Sequence, residues 1–123
     1  MAEETATQGV ELEPARAAEL IESGAQVVDV RTPDEHAAGH IEGALHLPLE
    51  RFADEAPAQL DRDRPVVVYC RAGNRSGMAA EALQASGWDA HNVAGGLLAW
   101  AEGGLPLEPP DGTVAESSNL PPP

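Results

Sequence analysis

The chain has 123 residues, a formal net charge of −14 and a single cysteine. This length suits one domain with its own hydrophobic core, and the lone cysteine excludes an intrachain disulfide and a dithiol redox cycle within the chain. The strong negative charge argues against binding to nucleic acid or to anionic membranes, because both are polyanions. The four histidines do not cluster with the thiol at the spacing of a zinc site, so we expect no metal and no cofactor.

The N-terminal part of the chain predicts a strand followed by a helix. Residues 1–8 are polar, and we expect them to be flexible. Val10 and Leu12 alternate with acidic residues, as in a short edge strand. A helix with one apolar face begins at Pro14 and ends at Gly24. The N-terminus lacks the basic and apolar segments of a signal peptide, and the longest apolar run is too short to span a bilayer. A cytoplasmic protein is therefore expected.

The next segments continue the alternation of strands and helices. Residues 27–31 predict a buried strand, and the sequence Thr-Pro-Asp-Glu at 32–35 predicts the start of a short helix with a capping box. A short strand is expected at 44–47. A helical pattern follows over residues 49–60, in which Pro57 is a candidate break.

An apolar run followed by a basic loop stands out in the centre of the chain. The sequence Pro-Val-Val-Val-Tyr at 65–69 predicts a buried parallel strand, and the residues from Ser76 on predict a helix. Cys70 therefore lies where a strand ends and a helix begins, which is where open α/β sheets bind ligands. The loop N–H groups and the helix N-terminus, together with Arg71 and Arg75, favour the thiolate form of Cys70 and the binding of an anion.

The remaining residues predict one more strand, one more helix and a tail. Residues 90–93 are a candidate strand, and a short helix is expected from Gly95 through Trp100. We expect Trp88 and Trp100 in the core. The Pro, Glu, Ser and Gly content of residues 107–123 predicts a disordered tail. The alternating elements predict an α/β fold with a parallel sheet that is covered on both faces.

Two other groups of polar residues are candidates for the site. Asp29 and Arg31 end an apolar strand at the same sheet edge as Cys70. We expect them to form an ion pair that supports neighbouring loops, and a binding role for Arg31 stays open. A Cys–His dyad has no support from the sequence around the cysteine, although folding could bring His36 or His46 to the thiol.

Four motifs in this order resemble those of the single-domain rhodaneses. They are Asp-Val-Arg at 29–31, Gly-His-Ile-Glu-Gly-Ala at 39–44 with a proline at 48, Cys-Arg-Ala-Gly-Asn-Arg-Ser at 70–76 and Gly-Gly-Leu-Leu-Ala-Trp at 95–100. The resemblance covers residues 9–106, which we take as the domain. It implies a three-layer fold with a central parallel five-stranded sheet flanked by helices. It also implies sulfur transfer, through a persulfide on Cys70, from a small anionic donor such as thiosulfate to cyanide or a thiol.

The resemblance also covers the loop that begins at Cys70. Cys70 matches the catalytic cysteine. We expect the donor to be bound by the loop N–H groups of the residues that follow Cys70, namely Arg71, Ala72, Gly73, Asn74, Arg75 and Ser76. The loop from Cys70 to Arg75 has six residues, one fewer than in related phosphatases of this fold, and this favours sulfur over phosphate. Ala72 stands where a hydroxyl-bearing residue is common, which leaves the preferred donor open.

Three other functions stay open from the sequence. The first is a persulfide carrier that receives sulfur from a partner in a sulfur-relay pathway and has little activity on thiosulfate. The second is an arsenate reductase or phosphatase on the same fold, against which the short loop argues. The third is a non-enzymatic binding module, whose usual sign would be the loss of the cysteine.

Overall fold

A five-stranded sheet forms the centre of residues 10–116, the part of the chain that the structure, a computed structural model, describes. The strands are β1 (Glu11–Leu12), β2 (Gln26–Asp29), β3 (Leu45–His46), β4 (Val66–Tyr69) and β5 (Ala90–Val93). They lie in the order β1-β5-β4-β2-β3, and each neighbouring pair is parallel. The predicted α/β fold with a parallel five-stranded sheet is confirmed. The carboxyl ends of the strands consequently meet at one edge, with β4 in the middle.

Helices cover both faces of this sheet. They are α1 (Pro14–Glu22), α2 (Pro33–Ala38), α3 (Leu49–Gln59), α4 (Asn74–Ala85) and α5 (Gly96–Glu102). Val66 and Val68 pack in a core cluster with α3 and α4, whereas Val67 packs in a second cluster with α1 and α5. Successive residues of a strand point to opposite faces, so the valine run is buried on both sides. Trp88 and Trp100 are buried in the core, as predicted.

Most element boundaries lie one or two residues from the predicted ones, as at α4, β2 and α3. α4 begins at Asn74 rather than at Ser76, because Gly73 in the left-handed conformation (φ 99°) turns the loop directly into the helix. β2 ends at Asp29, two residues earlier than predicted. Pro57, the candidate break, lies in the last turn of α3 and does not interrupt the helix.

The chain after α5 packs against the domain as far as Glu116. Leu105, Leu107 and Val114 contact the core cluster beneath α1 and α5. The ring N–H of Trp100 donates a hydrogen bond of 2.8 Å to the carbonyl of Pro106. Burial of these apolar side chains holds the segment against the domain, although its average composition is typical of a disordered tail.

Backbone hydrogen bonds also hold this segment. Glu108 and His40 form an antiparallel bridge, with N–H to carbonyl distances of 2.7 and 3.0 Å. This corrects the prediction of a disordered tail for residues 107–116. Residues 1–9 and 117–123 lie outside the described residues, and so does the predicted flexible N-terminus at 1–8.

α2 begins with the predicted capping box. The Thr32 hydroxyl accepts a hydrogen bond from the Glu35 N–H (3.4 Å), and the Glu35 carboxylate accepts one from the Thr32 N–H (3.1 Å). The Thr32 hydroxyl also donates to this carboxylate at 3.1 Å. The capping box therefore positions the buried carboxylate of Glu35 at the sheet edge.

Replacing Thr32 by alanine should lower the free energy of unfolding by about 1 kcal/mol, because the helix loses its N-cap. Urea denaturation measures this change. Thr113→Ala, at an exposed threonine of the C-terminal segment, is the control and should change the free energy by less than about 0.5 kcal/mol. Equal losses in the two variants would contradict the capping role of Thr32.

Candidate functional site

The thiol predicted as the nucleophile lies between β4 and α4 at the carboxyl edge of the sheet. Cys70 directly follows β4, and it is 1% exposed. Two backbone donors converge on its Sγ atom, the N–H of Gly73 at 3.2 Å and the N–H of Ser76 at 3.4 Å, and the hydroxyl oxygen of Ser76 lies 3.3 Å from it. The first-turn N–H groups of a helix have no partner within the helix, so they are available to an anion. Negative charge on this sulfur would therefore be stabilised by donors that the loop holds in place.

Asn92 of β5 holds the serine that contacts the thiol. The hydroxyl of Ser76 lies within hydrogen-bond distance of the Asn92 Oδ1 atom as well as of the sulfur. The Asn92 amide in turn donates to the carboxylate of Glu11 and to the carbonyl of Gly73, each at 3.0 Å. Asn92 and Glu11 were not among the site residues predicted from the sequence. The available signal was a polar residue inside the candidate strand at 90–93, in a sheet that is predicted to be covered on both faces.

The first turn of α5 lies directly against the loop that follows β4. The N–H of Leu97 donates to the carbonyl of Cys70 (2.8 Å), and the N–H of Leu98 donates to the carbonyl of Arg71 (3.0 Å). Gly96 has a positive φ of 66°, and a Cβ atom there would lie 2.4 Å from the carbonyl oxygen of Arg71. Only glycine allows the backbone of α5 to lie this close to the Arg71 carbonyl. The contact therefore holds the loop in position relative to the sheet.

Arg75 is paired with a carboxylate that the sequence analysis assigned to helix capping. Its guanidinium donates to the two carboxylate oxygens of Glu35 at 3.3 and 3.2 Å. Burial opposes the charge of Arg75, but the bonds to Glu35 and the nearby Cys70 sulfur outweigh it and raise the pKa of Arg75. The ion pair joins α2 to the start of α4 beside the thiol. A role of Arg75 in binding a donor stays a prediction.

The other predicted binding residues lie at the rim of the loop. Ala72 and Asn74 are exposed. Arg71 is partly exposed, and its Nε–H donates to the carbonyl of Ala115 at 3.2 Å. Its Nη2 atom lies 3.9 Å from the carboxylate of Glu116. The structure thus brings the predicted loop together around Cys70 and adds two residues of the C-terminal segment to its rim.

Asp29 and Arg31 form a buried ion pair at the end of the neighbouring strand, β2. The Nε and Nη2 atoms of Arg31 lie 2.9 and 2.7 Å from the two carboxylate oxygens, and Nη2 also donates to the carbonyl of Gly39 (2.7 Å). The Tyr69 hydroxyl donates to the same carboxylate at 3.0 Å. Burial raises the pKa of Asp29, but the hydrogen bonds and charge of Arg31 outweigh it and hold this pKa below its ordinary value. The ion pair ties the end of β2 to the turn after α2.

Three histidines stack beside this ion pair. The His36 ring lies 4.0 Å from the ring of His40 and 4.4 Å from that of His46. The Nδ1 atom of His36 lies 2.8 Å from the Asp29 carboxylate, and the Nε2 atom of His46 lies 2.8 Å from the carbonyl of Arg31. In the part of the chain that the structure describes, the hydrogen-bond partners of the His36 and His46 rings are thus Asp29 and the Arg31 carbonyl. A dyad of His36 or His46 with the Cys70 thiol therefore has no support.

Within residues 10–116, no group of three or more His, Cys, Asp or Glu side chains is placed to hold a metal ion. The helices of the same range are too short or too polar to cross a membrane.

The fold and the site define an α/β protein whose strand–loop–helix junction holds a buried cysteine against backbone N–H groups. Residues 13–103 match the Rhodanese-like domain family, and the chain belongs to it. The chain is 42% identical over 87 residues to a sulfurtransferase of Allochromatium vinosum, covering 70% of this chain and 80% of that protein. It is also 42% identical over 88 residues to the thiosulfate sulfurtransferase GlpE of Pseudomonas aeruginosa, covering 71% and 79%.

Solved structures share this fold. A rhodanese-related protein from Thermoplasma volcanium superimposes with a TM-score of 0.74 at 33% identity, covering 80% of this chain and 96% of that one. A protein from Rhodopseudomonas palustris, described as a possible tyrosine phosphatase, gives a TM-score of 0.71 at 29% identity, covering 86% and 89%. The predicted membership of the rhodanese family is confirmed.

Replacing Gly96 by alanine should displace the loop and slow the alkylation of Cys70 by iodoacetamide about tenfold or more, since the new Cβ has no room beside the Arg71 carbonyl. Gly104→Ala is the matched control, because Gly104 also has a positive φ (81°) but open space around it. Both variants carry the backbone strain of about 1–2 kcal/mol. The same alkylation rate in both variants would show that the contact beneath the loop is unimportant.

Mild acid should destabilise the fold through His36. Burial, with the neighbouring His40 and His46, outweighs the attraction of Asp29 and lowers the pKa of His36 below its ordinary 6.5. Below about pH 6.5 the unfolded chain therefore binds a proton that the folded chain binds only at lower pH. The free energy of unfolding should consequently decrease as the pH falls below about 6.5, which urea titrations at about pH 7.5 and 5.5 can measure.

The His36→Asn variant separates this effect from the titration of carboxylates. It should show a smaller loss of stability over the same pH interval. The pKa values of Asp29 and Glu35 are lowered by their arginine partners. Their contributions to the free energy of unfolding are therefore lost only when the pH falls below the ordinary pKa of a carboxylic acid. A wild-type protein that gains stability on acidification would contradict the assignment.

Proposed function

We propose that this rhodanese-like sulfurtransferase moves a sulfane sulfur from thiosulfate, or a similar small anion, to cyanide or a thiol through a persulfide on Cys70. The convergence of the Gly73 and Ser76 N–H groups on the Cys70 sulfur carries the proposal. Such donors favour the anionic forms through which a thiol reacts. The relatives named sulfurtransferase and thiosulfate sulfurtransferase support the same chemistry.

In the first step, the Cys70 thiolate attacks the outer sulfur of thiosulfate. A sulfur–sulfur bond forms to Cys70, the sulfur–sulfur bond of thiosulfate breaks, and sulfite leaves with the electron pair. The charge then resides on the outer sulfur of the persulfide. The N–H groups of the loop from Arg71 to Ser76 would hold the donor and then this persulfide.

In the second step, the acceptor attacks the outer sulfur of the persulfide. With cyanide, a carbon–sulfur bond forms, the persulfide bond breaks and the Cys70 thiolate is regenerated as thiocyanate leaves. With a thiolate, the product is the persulfide of the acceptor. Neither step changes the number of protons on the loop, so the thiol chemistry needs no additional general base once Cys70 is ionised.

A second candidate function is a persulfide carrier that a partner protein loads. The pairing of both loop arginines with carboxylates favours it, because Arg75 contacts the buried Glu35 and Arg71 lies near Glu116. This pairing leaves less positive charge for a free dianion. A carrier would accept sulfur from a sulfur-donating enzyme but would turn over thiosulfate poorly.

Thiocyanate formation from thiosulfate and cyanide tests the proposed cycle. Initial rates measured over a grid of both substrates should give parallel double-reciprocal lines, because the two displacements are separate. Cys70→Ser should abolish turnover, since the persulfide cannot form. Ser86→Ala, at an exposed position just after the far end of α4, should leave the rate within about twofold.

The result also separates the two candidate functions. Intersecting lines, or turnover by Cys70→Ser, would contradict the cycle. A wild-type protein that gives no thiocyanate, but acquires a persulfide on Cys70 from a sulfur-donating enzyme, would favour the carrier.

A further inference from the structure

The C-terminal segment, residues 105–116, extends beyond the residues matched by the family and reaches the loop. The family match ends at residue 103. Further along, the carbonyl of Ala115 accepts a hydrogen bond of 3.2 Å from the Arg71 Nε–H. The carboxylate of Glu116 lies 3.9 Å from the Arg71 Nη2 atom. The segment therefore places a negative charge beside a loop cation.

Close backbone contacts hold this segment against the turn after α2. The N–H of Thr113 donates to the carbonyl of Ala38 at 2.9 Å. At Gly39, which is buried in the turn, a Cβ atom would lie 2.4 Å from the carbonyl oxygen of Thr113. Val114 packs against the core cluster beneath α1 and α5. The backbone leading to Glu116 is thus anchored immediately before it reaches Arg71.

The two loop arginines differ in how far their charge is neutralised. Arg75 forms a two-pronged contact with Glu35, whose side chain is fully buried. Arg71 faces a carboxylate that is 92% exposed and more distant, and 30% of its own side chain is exposed. Since an exposed pair is weak and screened by salt, Arg71 keeps more of its charge available to a ligand.

We infer that Glu116 is a specificity-determining residue that lowers the preference of the Cys70 site for anionic over neutral reactants by offsetting the charge of Arg71. This inference deepens the proposed function, and it rests on the assignment of Cys70 as the reacting thiol. In a protein of net charge −14, this carboxylate reduces the positive charge that one of the two loop arginines offers to an anion. Glu116 acts through Arg71 and does not take part in the chemistry.

Alkylation of Cys70 measures this preference without any sulfur transfer. Iodoacetate and iodoacetamide react by the same displacement, in which the thiolate attacks the CH₂ carbon, a carbon–sulfur bond forms and iodide leaves. They differ in charge and are similar in size. Because the chain has one cysteine, the intact mass of the full-length protein reports the modified fraction directly. The ratio of the two rate constants gives the selectivity for the anion.

Glu116→Gln should raise the ratio of the iodoacetate to the iodoacetamide rate about twofold at low ionic strength, as expected for an exposed ion pair. Asp111→Asn is the matched control, because Asp111 is an exposed acid of the same segment, and its ratio should stay near that of the wild type. Salt at about 1 M should remove the difference. A purely structural disturbance would change both rate constants alike and leave the ratio unchanged.

An unchanged ratio in Glu116→Gln, or an equal rise in Asp111→Asn, would overturn the inference. In the thiosulfate assay, Glu116→Gln should lower the KM for thiosulfate about twofold and leave kcat unchanged. Failure of the proposed function is distinguishable, because the protein would then form no thiocyanate while the alkylation ratio still responded to Glu116.

Discussion

The arrangement of the thiol site depends on the contact between the loop and the turn that opens α5. The carbonyls of Cys70 and Arg71 accept hydrogen bonds from this turn, and Gly96 lies where a Cβ atom would meet the Arg71 carbonyl. The loop carbonyls thus point towards α5. The N–H groups of Gly73 and Ser76 point towards the sulfur. A loop held in this way supplies oriented dipoles to an anion without reorganisation during the reaction.

Electrostatics at this edge are organised by local pairs within a strongly acidic protein. Asp29 pairs with Arg31 in the core, and the buried Glu35 pairs with Arg75 beside the thiol. Such buried pairs are costly to break because each leaves an unpaired charge, so they fix the geometry of the edge more than they attract ligands. We therefore expect the N–H groups of the loop and the more exposed Arg71 to contribute most to the proposed binding of an anion.

Features that depend on residues close together in the sequence could be predicted. The valine run before Cys70 predicted the central strand, and the residues at 32–35 predicted the capping box of α2. Contacts between distant residues could not be predicted. Glu35 has a local role in the capping box, which concealed its bond to a guanidinium forty positions away. The packing of residues 107–116 was not predicted, because the average composition of a segment does not show which of its few apolar side chains can reach the core.

The intact mass of the protein after brief incubation with thiosulfate tests the central claim most directly. We expect the wild type to gain the mass of one sulfur atom, and we expect cyanide to remove it, because Cys70 would carry the transferred sulfur as a persulfide. The Cys70→Ser variant should gain nothing. A wild-type protein that stays unmodified, or a variant that gains the same mass, would contradict sulfur transfer from thiosulfate through Cys70.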